Sequence, residues 1–357
     1  MKRYRAAVIG CSRMGGFIDN EVIGRKDFVL PYSHAAGYEA VDRTELIACS
    51  DVRPDIMAKF GERYGIPPER QYADYRELIL REKPEIVSIA TQPEQRAEIA
   101  IFACEHGARA LYCEKALCAS MAEADAIAAA VKKHGVVFNM GTNRRWHPAF
   151  DAMRSVIQSG EIGELRAVIA YSTGTLFNTA SHMFDVLQFL NGDQPPVWVQ
   201  GRLTEPESIF DGDILTKDPS GHATIGFANG VMGFSLVSPR PTEFEAVCTR
   251  GTVTSQNNGA RVVVRRAHDE GYRVFGPEEV VEFTQASATK NLIEDLVHAL
   301  DTGEPTRGGV DVARTNTELI FACIESHLRG GAVVELPLKG SRITLKRNHQ
   351  PRQPRVS

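Results

Sequence analysis

The chain has 357 residues, 43% hydrophobic and 24% charged, the balance of a globular protein with apolar material for two cores of roughly 150 residues each. Its formal charge of -4 offers no basic field to hold a phosphate backbone, which excludes nucleic acid as a partner, and no apolar stretch approaches membrane-spanning length. The opening residues pass from three cations through a short apolar run into a glycine turn without a cleavage site, and the seven cysteines stand singly, without zinc-ribbon spacing; the expectation is a metal-free protein of a reducing cytoplasm.

Residues 5–9 (RAAVI), 46–49 (LIAC) and 86–90 (IVSIA) are apolar runs closed by polar breaks, the pattern of buried parallel strands. Helical spacing lies between them, at 56–64 after Pro54 and at 75–82 before Pro84. The alternation continues with a helix at 95–107, a strand at 110–113, a helix at 121–134 and a strand at 136–140. It predicts an α/β, doubly wound Rossmann sheet over residues 1–143.

After Pro148 the texture changes. From 165 to about 283, short β-rich runs (AVIAY, VWVQGRL, ATIGF, VMGFSLV, FEAVCT, RVVVR, EVVEF) are separated by Gly, Asn, Asp and Pro, which predicts a large, mostly antiparallel open sheet. With helices at 181–190, 289–301 and 311–329, residues 144–339 read as an α+β domain for substrate and oligomer contacts, the last helix packing back on the first domain. The open sheet face is the expected contact of a homodimer or homotetramer. Residues 340–357 carry five Lys or Arg and no acid, and read as a solvated basic tail or an oligomer arm.

Gly10-Cys11-Ser12-Arg13-Met14-Gly15 follows the first strand directly, where a dinucleotide fingerprint G-x-G-x-x-G would sit with serine at its middle glycine. Gly10 makes the turn, Gly15 permits close helix packing, and the helix start offers N–H groups to a pyrophosphate. Asp51 ends the second strand, where a carboxylate accepts from a ribose diol and repels a ribose phosphate; NAD is favoured, although Arg53 two residues on would admit NADP by pairing with the phosphate. Residues 17–33 form an extra stretch after the turn, either a flap with Tyr32 and His34 at the ligand rim or an inert surface insertion.

Glu114-Lys115-Ala116 follows the predicted strand at 110–113. With the glycine turn, Asp51, Thr91-Gln92-Pro93, Asn143-Arg144-Arg145-Trp146 and SGEIGEL, it makes the chain resemble the Gfo/Idh/MocA oxidoreductases over nearly its whole length. The resemblance implies that the glycine-turn residues 10 and 12–15, Asp51, Arg53, Thr91, Gln92, Glu114 and Lys115 hold NAD. It also implies that Lys115 lies between nicotinamide and substrate, and that a D-x-x-x-H element supplies a histidine, here Asn178 to His182. Asn178 replaces the family's aspartate, Ala116 the proline of E-K-P, and Arg96 a histidine common in relatives. A neutral amide gives an imidazolium no Coulombic help, so Lys115 is expected to carry more of the proton transfer, with a lowered pKa. Arg145 and Trp146 are expected to meet the sugar, the indole by its flat face; packing at the domain seam is the alternative.

The expected activity is hydride transfer between nicotinamide and a hydroxyl of a sugar, glycoside or polyol, with Lys115, His182 and Asn178 as catalytic residues. A glycosidase or epimerase that oxidises its sugar transiently on tightly bound NAD is the alternative within the same resemblance. A non-catalytic sugar or nucleotide sensor is a third, which the presence of Lys115 and His182 opposes.

Overall fold

The computed structural model describes residues 2–25, 27–205, 207–268, 271, 274–347 and 353–356. They form two compact units, the first comprising the chain up to Asn143, Ala286–Arg314 and the end of the chain, the second Arg144–Gln285 and Thr315–Asn348.

The first unit begins with β1 (Tyr4–Ile9), α1 (Asp19–Val22), α2 (His34–Glu39), β2 (Thr44–Ser50), α3 (Pro54–Tyr64) and β3 (Gln71–Tyr72). It continues through α4 (Tyr75–Glu82), β4 (Ile86–Ile89), α5 (Pro93–Glu105), β5 (Ala110–Cys113), α6 (Met121–His134) and β6 (Val137–Met140). All six strands are parallel, in the order β3-β2-β1-β4-β5-β6. Each central strand is buried on both faces, which is why these segments read as continuous apolar runs. Helix ends carry their own signals: Pro54 opens α3 and Gly65 closes it in the left-handed conformation, while the Ser120 hydroxyl accepts from the Glu123 N–H at the start of α6. The strand order reverses between β1 and β4, so a ligand crevice belongs at the carboxyl ends of those two strands.

The second unit contains α7 (Pro148–Ser159), β7 (Leu165–Ser172), α8 (Ser181–Leu190), β8 (Pro196–Leu203), β9 (Phe210–Asp211), β10 (Ile214–Leu215), β11 (Gly221–Phe227), β12 (Met232–Val237), β13 (Glu243–Cys248), β14 (Gly251–Gln256), β15 (Arg261–Arg266) and β16 (Glu279–Val280). After these come, in chain order, α9 (Ala288–Thr302), which lies in the first unit, α10 (Val310–Leu328), whose residues from Thr315 lie in the second, β17 (Val334–Glu335) and β18 (Thr344–Leu345). Nine strands form one sheet, β16-β15-β14-β13-β7-β12-β11-β8-β17, antiparallel except for the β12–β7 pair. Strand β14 (GTVTSQ) is absent from the sequence reading because its polar composition hides it. So is the small sheet β18-β10-β9, built from two-residue strands too short to show a period.

Two assignments from sequence are corrected. Helix α9, expected in the second domain, belongs to the first unit: Thr289 Oγ1 donates to Tyr32 O, Asn139 Nδ2 donates to Leu292 O, and a Cβ on Gly37 would meet Ile293 at 2.7 Å. The basic segment 340–357 is not wholly solvated, because β18 pairs with β10 and buries Ile343 and Leu345; alternate apolar side chains let so charged a segment join a sheet. Near its end, Arg355 O accepts from Asn20 Nδ2.

Candidate functional site

At the β1 end, Gly10 turns with φ +95°, and a Cβ there would meet Ala90 C at 2.9 Å, so only glycine fits. Gly15 is held harder: its Cβ would lie 1.9 Å from Gly10 O. Residues Arg13–Phe17 form one π-helical turn, closed by the Ile18 N–H on Arg13 O. Ser12, Arg13 and Met14 are half-exposed while Gly15, Gly16 and Phe17 are buried. The residues that open the turn thus reach the surface, and the first N–H groups of a helical turn have no intrahelical carbonyl to bind. The guanidinium of Arg13 is paired with Glu21 at 2.7 Å.

Asp51 is fastened to this turn. Its Oδ2 accepts from the Cys11 N–H at 2.9 Å, and its Oδ1 accepts from the Arg53 N–H at 2.9 Å and from Arg53 Nε at 3.4 Å. The second strand and the glycine turn thus share one carboxylate, and Arg53 leans on it. Thr91 follows β4 against Gly10, its N–H 3.1 Å from where a Gly10 Cβ would lie. Its hydroxyl is buried and has no hydrogen-bond partner among the described residues. An orphaned hydroxyl beside a glycine cradle and a fixed carboxylate fits a nucleotide's polar groups, which would satisfy it.

After β5, the Glu114 N–H donates to Ile89 O and the side chain is 3% exposed. Glu114 Oε1 lies 3.0 Å from His34 Nε2, and Oε2 accepts from the Lys115 N–H at 3.3 Å. Burial works to raise the Glu114 pKa, but the His34 hydrogen bond and the positive charges of Lys115 and Arg96 outweigh it and hold the carboxyl below its ordinary range. Lys115 is half-exposed, and its bond to Ala116 is cis. Arg96, buried in α5, donates through Nη1 to Ala116 O and through Nη2 to Thr91 O; burial lowers its pKa to about 10.

His34 is therefore corrected from a rim residue to a core residue with no exposed surface, stacked on Tyr112 at 3.8 Å with Nδ1 2.5 Å from Ser88 Oγ. Tyr32 is half-buried against Phe28. The inserted stretch leads the chain into α2: Asp19 accepts from the N–H groups of Tyr32 and Ser33, and Ser33 caps the helix that begins with His34.

In the second unit, Asn178 lies exposed in the π-turn Leu176–Ala180, and His182 is the second residue of α8, half-buried. A carboxylate does hold this turn, and it comes from elsewhere in the chain. Asp218 accepts from Thr175 Oγ1 at 2.6 Å, from the Phe177 N–H at 2.9 Å and from the Asn178 N–H at 3.0 Å, and burial raises its pKa. The sequence reading missed Asp218 because no local signal links a loop acid to a turn forty residues earlier. Arg145 and Trp146, expected at the sugar, are buried instead, 0% and 1% exposed. Arg145 pairs with Asp185 at 3.0 Å and Asp193 at 2.9 Å; two carboxylates leave its guanidinium no free face for a hydroxyl.

Among the described residues, no helix is long and apolar enough to cross a membrane. Residues 4–142 match the model of the GFO_IDH_MocA oxidoreductase family, NAD-binding Rossmann fold. The chain is 26% identical over 223 residues to a myo-inositol 2-dehydrogenase of Thermotoga maritima, covering 56% of this chain and 63% of that one. It is 26% identical over 210 residues to a D-apiose dehydrogenase of Paraburkholderia graminis, covering 54% and 51%. The alignments thus span a little over half the length of these curated relatives. Among solved structures, a levoglucosan dehydrogenase in complex with NADH and L-sorbose superposes with a TM-score of 0.76 at 22% identity, over 95% of this chain and all of that one, which shows the shared fold. Over residues 4–142 the chain thus carries an NAD-binding Rossmann domain of the kind found in the Gfo/Idh/MocA oxidoreductases.

Proposed function

We propose that the protein is an NAD(H)-dependent dehydrogenase of a sugar or polyol hydroxyl, with Lys115 and His182 as its proton-transfer groups. The observation that carries this reading is the Lys115 turn: a half-exposed lysine at the carboxyl edge of the sheet, its neighbours Glu114 and Ala116 each held by a buried side chain. Relatives named for inositol, apiose and levoglucosan support a substrate rich in hydroxyls. When bound, the nicotinamide supplies the hydride acceptor. The chain's own work is to orient the hydroxyl and to take its proton on the Lys115 amine, His182 serving as the second acid–base group. Because Arg53 pairs with Asp51, NAD is the preferred cofactor over NADP. Ile169, Tyr171, Phe234 and Leu236 lie half-exposed on one face of the nine-stranded sheet, opposite the buried Val168, Ala170 and Ser235; we assign that face to a second copy of the chain.

The test is a screen of sugars, polyols and glycosides with NAD or NADP, followed by absorbance of the reduced nicotinamide. Reduction of NAD by one of them is expected. Lys115→Ala then lowers kcat by about 10³-fold and leaves NADH binding intact. Protein that retains bound NAD, reduces none and yet epimerises or cleaves a glycoside would overturn the dehydrogenase reading.

A further inference from the structure

We infer that His34 is a positioning residue for Lys115, acting through Glu114, while Arg96 fixes the same turn from its other side. The inference rests on the role proposed above for Lys115 and deepens it.

Three buried groups in a row carry the argument. Ser88 Oγ, His34 and the Glu114 carboxylate are linked at 2.5 Å and 3.0 Å, with Ser88 and His34 wholly buried. A serine donating to Nδ1 leaves the ring's proton on Nε2, where it donates to Glu114, so the tautomer is set by the partner at each nitrogen. Stacking on Tyr112 at 3.8 Å and 6° holds the ring plane. Glu114 packs directly over Gly141, where a Cβ would lie 2.6 Å from its Oε1, so only glycine leaves the carboxylate its place.

This chain of bonds is unsuited to carry a proton away. It ends at Ser88, which no solvent reaches, so its effect is geometric and electrostatic. The carboxylate next to Lys115 is kept in one place and ionised; without the Nε2 donor a carboxylate this deeply buried takes up a proton instead. The charged groups that face it are Lys115 and Arg96. Arg96 completes the arrangement by tying Ala116 O to Thr91 O, which joins the turn after β5 to the turn after β4. The lysine between these two anchors keeps one backbone path.

The experiment compares His34→Phe, which retains a flat ring on Tyr112 and removes both nitrogens, with His34→Gln, whose amide still donates to Glu114. With the substrate found in the screen, His34→Phe lowers kcat by about 10- to 100-fold, the loss expected of a misplaced acid–base group, while NADH affinity measured by fluorescence stays near wild type. His34→Gln recovers most of the loss, and in a Lys115→Ala background His34→Phe adds nothing further. A readout independent of turnover is the NMR titration of the protein with 13C-dimethylated lysines, the Lys115 signal being identified by its loss in Lys115→Ala. In His34→Phe that signal titrates at lower pH, because its neighbouring negative charge is gone. Unchanged kcat together with unchanged titration overturns the inference, as does a kcat loss that persists undiminished in the Lys115→Ala background. Should His34→Phe not fold, Glu114→Gln removes the same charge and must give the same lysine shift. Full turnover by Lys115→Ala itself would instead defeat the proposed function.

Discussion

Replacing Arg145 with methionine separates a structural cation from a substrate contact. The guanidinium is wholly buried and binds Asp185 at 3.0 Å, the Asp185 carbonyl at 3.3 Å and Asp193 at 2.9 Å. Asp185 is itself 1% exposed on its side chain, whereas Asp193 is 32% exposed. Arg145→Met therefore leaves one carboxylate buried without its cation and frees the other to water. Only the first is costly, and removing one partner of a buried pair destabilises by about 3–5 kcal/mol. For a unit of this size each kcal/mol lowers Tm by about 2–4 °C, so a fall of roughly 6–20 °C is expected in calorimetry. Arg145→Met with Asp185→Leu should recover most of that fall, because the lone buried charge is then gone. A variant that melts like the wild type but has a strongly raised KM for the sugar would refute the structural assignment and return Arg145 to the substrate.

His147 caps α7 by accepting the Ala149 N–H on Nδ1 at 3.2 Å, and burial, followed by the charge of Arg144, lowers its pKa to about 4. A histidine depressed in the folded state binds its proton first when unfolded, so stability falls as pH drops below about 6.5 and levels off below about 4. By pH 5 the loss is about 2 kcal/mol, and urea titrations of His147→Asn, which keeps a capping acceptor, should show that pH dependence removed; an undiminished slope would clear His147. On the half-exposed sheet face proposed for a second copy, Phe234→Arg should give a monomer in light scattering where the wild-type chain gives a larger mass, and an equal mass for the two would overturn that assignment.

The alternation of apolar runs and helical stretches, the glycine turn and the position of Lys115 at a strand end were legible in the sequence. Each is a local property: a buried parallel strand needs consecutive apolar residues, a left-handed turn needs glycine, and a helix start needs its cap within three residues. The 3-2-1-4-5-6 order of the first sheet follows the same logic, since short right-handed crossovers leave few arrangements for such a string of elements.

What the tertiary structure alone decided was the partnership of polar side chains. His34 read as a rim residue or part of an inert surface insertion because it ends an extra stretch after the first strand, and such loops border the ligand crevice; its burial against Glu114 and Ser88 depends on residues 80 and 54 positions away. Arg145 read as a sugar contact until Asp185 and Asp193 took its guanidinium, and the carboxylate missing at Asn178 is supplied to its turn by Asp218. Helix α9 likewise chose the first unit through Thr289, Leu292 and Ile293. A charged or hydrogen-bonding side chain has the same sequence signature whether it meets water or a buried partner, and the difference is set by long-range chain crossings that no local period records.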